Sequence, residues 1–281
     1  MKKFLLTIFA LSIITQPSFA WSWFQYDTDE YAVKKLLKSQ VKYANNTNFE
    51  KFIKTYDPKY TNSDGFNLDV YSNLIKDIWN TYDNIKYGID ISKIDIQGNK
   101  ATVDLIETSY AKLKMNDAYD GELKSNANTI YYLEKKNGAW KVISDKVVNE
   151  TTTMLYGDAK DLEINLTVPQ EIEANKEYCA TLEFTPPKET IAIASIASDI
   201  VEYPQKPTKE VFRALPEDNI LERLFTSNDQ NVNEYVVASI GLTKTSVCNL
   251  NINLSLTGFG YAIKRVNVIQ NDNGENNDKI K

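Results

Sequence analysis

The chain has no histidine among its 281 residues, only two cysteines, and three arginines against 29 lysines. Without imidazole there is no Ser-His-Asp or Cys-His catalysis, no HExxH metal site and no histidine pH switch. Two thiols cannot build a cysteine-rich metal centre. Basic residues are outnumbered by acidic ones, 32 to 38, which argues against a nucleic-acid partner. No segment approaches the ~18 uninterrupted apolar residues of a membrane-spanning helix, so no integral membrane segment is expected. Nothing in the residue pattern asks for a metal or a cofactor.

What is present begins with a leader. Lys2 and Lys3 precede an apolar run over residues 4–14, Pro17 breaks it, and Ser18 and Ala20 are small enough for the subsites of a signal peptidase. The expectation is a signal peptide over residues 1–20, cleaved between Ala20 and Trp21, and an exported protein, periplasmic or secreted. Loss of the two leader lysines moves the net charge from −6 to −8. The lysine and asparagine bias fits an AT-rich bacterium. All four tryptophans precede residue 158 and all three arginines follow it, a shift that marks two cores. Gly157 and the polar residues after it place the boundary, giving domains at 21–157 and 162–270, with a polar, disordered tail at 271–281.

In the first domain Val33, Leu36, Leu37, Val41 and Ala44 recur on one helical face, behind Asp27 and Glu30 at capping-box spacing. Phe49, Phe52, Ile53 and Tyr56 form a second stripe, ended by Pro58, and Tyr71, Leu74, Ile75, Ile78, Trp79 and Tyr82 a third. Residues 85–96, 101–114, 123–136 and 140–154 alternate as strands, the last two meeting at Asn137-Gly138. Helices first and strands after predict an α+β unit whose curling antiparallel sheet leaves a hollow against the helices. The second domain carries strand-like runs at 162–168, 178–184, 190–197, 233–242, 249–256 and 261–269, with prolines between them, the pattern of an immunoglobulin-like β-sandwich. Pro216, Glu217 and Asp218 open either a brief capped helix or a strand.

The Tyr60-xxx-Asp64-Gly65 loop, the Trp79-bearing helix and the closing hairpin with Trp140-Lys141-Val142-Ile143-Ser144-Asp145 make residues 28–156 resemble the nuclear transport factor 2-like (SnoaL-like) superfamily. The resemblance implies a cone of three helices packed on a curved antiparallel sheet, and a homodimer through the outer sheet face. That superfamily hosts isomerases, dehydratases, ligand carriers and noncatalytic interaction modules, so its fold does not choose a function.

If the hollow were an active site, its acids and bases would be carboxylates and tyrosines. Glu107 shares a strand phase with Val103 and Leu105, so it points inward, or else sits at the rim. Asp64 is a base near the mouth or a turn residue, and Asp145 a further acid or a solvent-facing group. As a binding site the hollow would use Trp79, Tyr82, Glu107 and Tyr131, though the tyrosines could equally bury their rings in a core. No spacing requires catalysis. Trp21, Trp23, Phe24 and Tyr26 offer either a docking patch or packing onto the first helix, and Arg213, Arg223 and Arg265 an anion site or pairing partners. Export permits a disulfide between Cys179 and Cys248, but their strand phases disagree, so a peripheral bridge is expected. The sequence therefore predicts an exported noncatalytic binding or interaction protein, its partner a protein or a small apolar molecule. The alternatives are a periplasmic carrier of a small apolar ligand and a cofactor-free acid-base isomerase or dehydratase.

Overall fold

The computed structural model describes residues 18–82, 84–115, 118–248 and 251–270, and their side chains apart from 18–27, 246–248 and 251–252. Residues 1–17 of the expected leader, the side chains of Trp21, Trp23, Phe24 and Tyr26, and the expected tail lie outside the described residues. Helix α1 (Ser18–Asn45) begins upstream of Asp27, so Asp27 is not its cap. Helix α2 (Phe49–Ile53) is a single turn. Asn48 caps it, and Asn67 caps α3 (Leu68–Thr81), each side chain accepting from backbone N–H groups that the helix start leaves open. Strands β1 (Lys86–Gln97), β2 (Lys100–Met115), β3 (Tyr119–Lys136) and β4 (Ala139–Gly157) then run as an antiparallel meander. Their inward side chains share one core with Val33 and Leu37 of α1, Phe52 of α2, and Ile75 and Trp79 of α3.

The second half contributes β5 (Asn165–Thr167), β6 (Glu171–Glu173), β7 (Glu177–Glu183), β8 (Thr190–Ile200), β9 (Arg213–Ala214), β10 (Ile220–Thr226), β11 (Glu234–Cys248) and β12 (Asn251–Ile269). Strands β10, β7 and β5 form a small separate sheet. The rest join the meander in one nine-stranded sheet, ordered β1-β2-β3-β4-β12-β11-β8-β9, with β6 parallel to β12. This overturns the expected α+β cone followed by an independent immunoglobulin-like sandwich. The chain is mostly β, organised on one large sheet that runs through both halves. The cause is β4, whose 19 residues outrun the first core, so that residues 151–157 pair with 258–264 of β12. Two cores are threaded on that sheet, one from residues 33–142 and the other from 159–266.

The expected break between strands at 249–256 and 261–269 is also corrected, because β12 runs straight through it. Gly258 and Gly260 serve close approach there rather than a turn. A Cβ on Gly258 would lie 2.5 Å from the backbone nitrogen of Ala159, and one on Gly260 would lie 2.5 Å from Cδ2 of Leu155. Pro216 and Asn219 close a turn, and the following residues form β10 rather than a helix.

A buried ion pair joins the halves. Asp64, in the loop between α2 and α3, faces Arg265 of β12, and the two side chains are only 6% and 1% exposed. Both terminal nitrogens of Arg265 donate to the Asp64 carboxylate, Nη1 to Oδ2 at 3.1 Å, and Nε donates to Asn267 Oδ1 at 2.8 Å. Asn233 adds an Nδ2 donation to Asp64 Oδ1 at 2.7 Å. Every strong polar group in the cluster is met, the condition under which a buried pair is tolerated. Removing one partner strands the other charge away from water. Asp64→Asn is therefore expected to lose about 3 kcal/mol in chemical denaturation, and Asp64→Asn with Arg265→Met less than the sum of the two single losses.

Candidate binding site

The inward face of β2 reads Ala101, Val103, Leu105, Glu107, with the first three buried. Period-two alternation carries Glu107 to the same side. In β1 an irregularity at Ser92 resets the phase, so that Tyr87, Ile89 and Ile91 before it and Ile94 and Ile96 after it all pack on this core. Between these strands and the helices lies a cavity of about 90 Å³. Leu37, Gln40, Val41 and Ala44 of α1 wall one side. Phe52, Tyr56, Tyr71, Ile75 and Trp79 form another, and Tyr87, Ile89, Leu105, Glu107 and Tyr131 the sheet side. Three larger hollows, about 520 Å³ beside α1 and the β3–β4 turn, about 320 Å³ at the junction of the halves and about 590 Å³ beside Glu163 and Phe184, are more open grooves.

Glu107 is the one ionisable acid or base among these cavity walls apart from the phenols. Thr129 donates its hydroxyl to Oε2 at 2.7 Å, and Tyr131 donates its own to Oε1 at 2.8 Å. Burial pushes the Glu107 carboxyl above its ordinary range; the two hydroxyl donors oppose the shift and the charge of Glu150 adds to it. Glu107 lines the cavity and is partly exposed. Several of the surrounding polar groups bond to one another or to a neighbour. Trp79 Nε1 donates to the Tyr87 hydroxyl at 3.1 Å, Gln40 Nε2 to Thr55 Oγ1 at 2.8 Å, and the hydroxyls of Tyr56 and Tyr71 meet at 3.0 Å. Burial raises the phenols of Tyr56, Tyr71 and Tyr131, so all three stay protonated.

The structure brings Trp79, Glu107 and Tyr131 to one cavity and leaves Tyr82, Asp64 and Asp145 off its wall. Tyr82 ends α3 and its hydroxyl reaches Met154 Sδ at 3.5 Å. Asp64 is held by Arg265, so it is neither a free base nor a mere turn residue. Asp145 is buried, not solvent-facing. A β-bulge at Ile143 explains this: Val142 pairs with Leu133 but Ser144 with Tyr132, which turns Asp145 inward opposite Tyr131. There it accepts from the hydroxyl of Tyr60, itself fully buried. Cys179 is a free, exposed thiol, so the expected bridge to Cys248 is not formed, and the Cys248 side chain lies outside the described residues. Among the described residues no cluster of acids and thiols is arranged to hold a metal.

Several wall residues were not singled out by sequence. Phe52, Tyr56, Tyr71 and Ile75 belong to the helical stripes, which say that a side chain faces inward but not where packing leaves a gap. Gln40 did leave a signal, a polar residue on the buried face between Leu37 and Ala44, only 5% exposed.

No family model matches the chain, and no curated protein matches it. Among solved structures, a Bdellovibrio bacteriovorus protein, Bd1075, is similar over 44% of this chain and 41% of its own, at 16% identity and a TM-score of 0.36. The Kfla4162 protein from Kribbella flavida is similar over 43% of this chain and 90% of its own, at 13% identity and a TM-score of 0.39. The matched part spans less than half of the Bdellovibrio chain. Likenesses at these scores assign neither a fold nor an activity.

Burial raises the Asp145 carboxyl to about 7; the Tyr60 hydroxyl opposes the shift, and the charges of Glu107 and Asp64 add to it. The folded pKa lies above the unfolded value of about 3.9, so the folded state holds the extra proton between them. Stability is then expected to fall as pH rises from about 4 to about 7, by on the order of 1.4 kcal/mol per pH unit from Asp145. Glu107 acts in the same direction. Urea denaturation across that window should show the slope, and Asp145→Asn should flatten it.

Proposed function

We propose that the chain is an exported, noncatalytic binding protein that holds a small, largely apolar molecule in the cavity beside Glu107. The observation that carries this reading is the cavity's chemistry: aromatic and aliphatic walls around a single carboxylate whose donors are already in place. Ligand sites commonly combine an apolar wall with a few fixed polar groups. Proton-transfer catalysis is less supported, because the wall holds one carboxylate and no second one, and its Tyr131, Tyr56 and Tyr71 hydroxyls are engaged with Glu107 or with each other. Asp145 is bonded to Tyr60 and Asp64 to Arg265, each away from the cavity. Among the described residues no helix is long and apolar enough to cross a membrane.

Val41 lines the cavity on α1 and is only partly buried, so a larger ring there can enter the space without rebuilding the core. Native mass spectrometry of protein purified under native conditions is expected to show a retained small molecule in the wild type and none in Val41→Phe. An empty wild type that also fails to take up added small apolar molecules contradicts the reading.

A further inference from the structure

The unused acceptor positions of Glu107 narrow the class of ligand, given the binding reading above. Glu107 accepts one hydroxyl on each oxygen, Thr129 on Oε2 and Tyr131 on Oε1. A carboxylate offers about four acceptor positions, so about two remain on this cavity-lining side chain. The Trp79 indole N–H goes to Tyr87 and one Gln40 amide N–H to Thr55, so neither of these bonds reaches Glu107. The polar vacancy on Glu107 is therefore a vacancy for a donor. No lysine or arginine stands on the cavity wall to neutralise it.

The rest of the wall suits a cation as well as an alkyl group. Phe52, Tyr56, Tyr71, Trp79, Tyr87 and Tyr131 all contribute to it. Aromatic faces attract an ammonium within about 6 Å, and more strongly when it is desolvated. A buried carboxylate facing a neutral ligand keeps its desolvation cost, whereas an ammonium partner offsets it through charge-assisted hydrogen bonds. Size sets a limit. A cavity of about 150 Å³ takes benzene, so 90 Å³ admits a smaller body, on the order of four or five heavy atoms.

We infer that the cavity binds a small organic ammonium ion, its N–H groups on the free lone pairs of Glu107 and its alkyl part against the aromatic wall. The probes are isopropylammonium and isopropanol, which share a heavy-atom skeleton and differ in charge. Each is titrated into the full chain while the NMR signals of the Trp79 indole and Leu105 methyls are followed. The wild type should bind the ammonium at least about tenfold more tightly than the alcohol. Glu107→Gln should lose that preference while still admitting isopropanol, which also shows that the variant is folded. Equal wild-type affinities, or a preference that survives Glu107→Gln, overturns the ammonium assignment and leaves the cavity a site for neutral molecules. Failure of both probes to shift either residue in the wild type overturns the binding reading itself. The wild-type comparison needs no variant, so it stands even where Glu107→Gln does not fold.

Discussion

Strand β4 must serve two cores with one hydrogen-bonded ladder, and most of the architecture follows from how it does so. Its first part faces the helices and its last part is claimed by β12. A strict alternation over 19 residues would hold every second side chain on one face regardless of what that face meets. Irregularities after Tyr132 and after Asn128 in the β3–β4 ladder break the alternation twice. The first turns Asp145 inward after Val142; the second puts Glu150 opposite Ala127, in phase with Thr152 and Met154. The α2–α3 loop then lies along the bulged stretch, with Asp57 N–H donating to Val142 O at 2.8 Å and Ser63 N–H to Asp145 O at 2.9 Å. That contact delivers Tyr60 to Asp145 and Asp64 to Arg265.

Three inward carboxylates are thereby compensated in three ways. Asp64 receives a full cation from Arg265 and the amide of Asn233, and its charge is spent on holding the halves together. Asp145 receives a phenol and keeps its proton to about neutral pH. Glu107 receives two hydroxyls and a hollow. Neither Asp64 nor Asp145 lines the cavity beside Glu107. Only the third leaves acceptor capacity beside space, and buried polar groups with spare capacity are costly to keep without use. The functional reading follows from that contrast rather than from any single side chain.

Local patterns revealed the three helices and the four strands of the meander, because each rests on its own period and caps. The inward phase of Glu107 was visible for the same reason: no irregularity separates it from Val103 and Leu105 in β2. Asp145 was not legible, since a bulge leaves no mark in a strand rich in β-branched residues. The pairing of β4 with β12 joins segments about a hundred residues apart, and alternation is satisfied equally by an edge strand and a central one. The stretch with Gly258 and Gly260 reads as a break between two strands, because a glycine needed for close approach has the same letter as one needed for a reversal. The cavity was legible only as a consequence of curvature, as the wall residues of α1 and α3 look like any other core stripe.

Crystallography under xenon pressure tests the central claim most directly, because xenon settles in apolar cavities and needs no knowledge of the natural ligand. The account predicts one xenon atom between Leu105 and Glu107 of β2 and Ile75 and Trp79 of α3. Absence of xenon there, with the α3 side chains collapsed onto β2 and the Glu107 carboxyl enclosed, would contradict it.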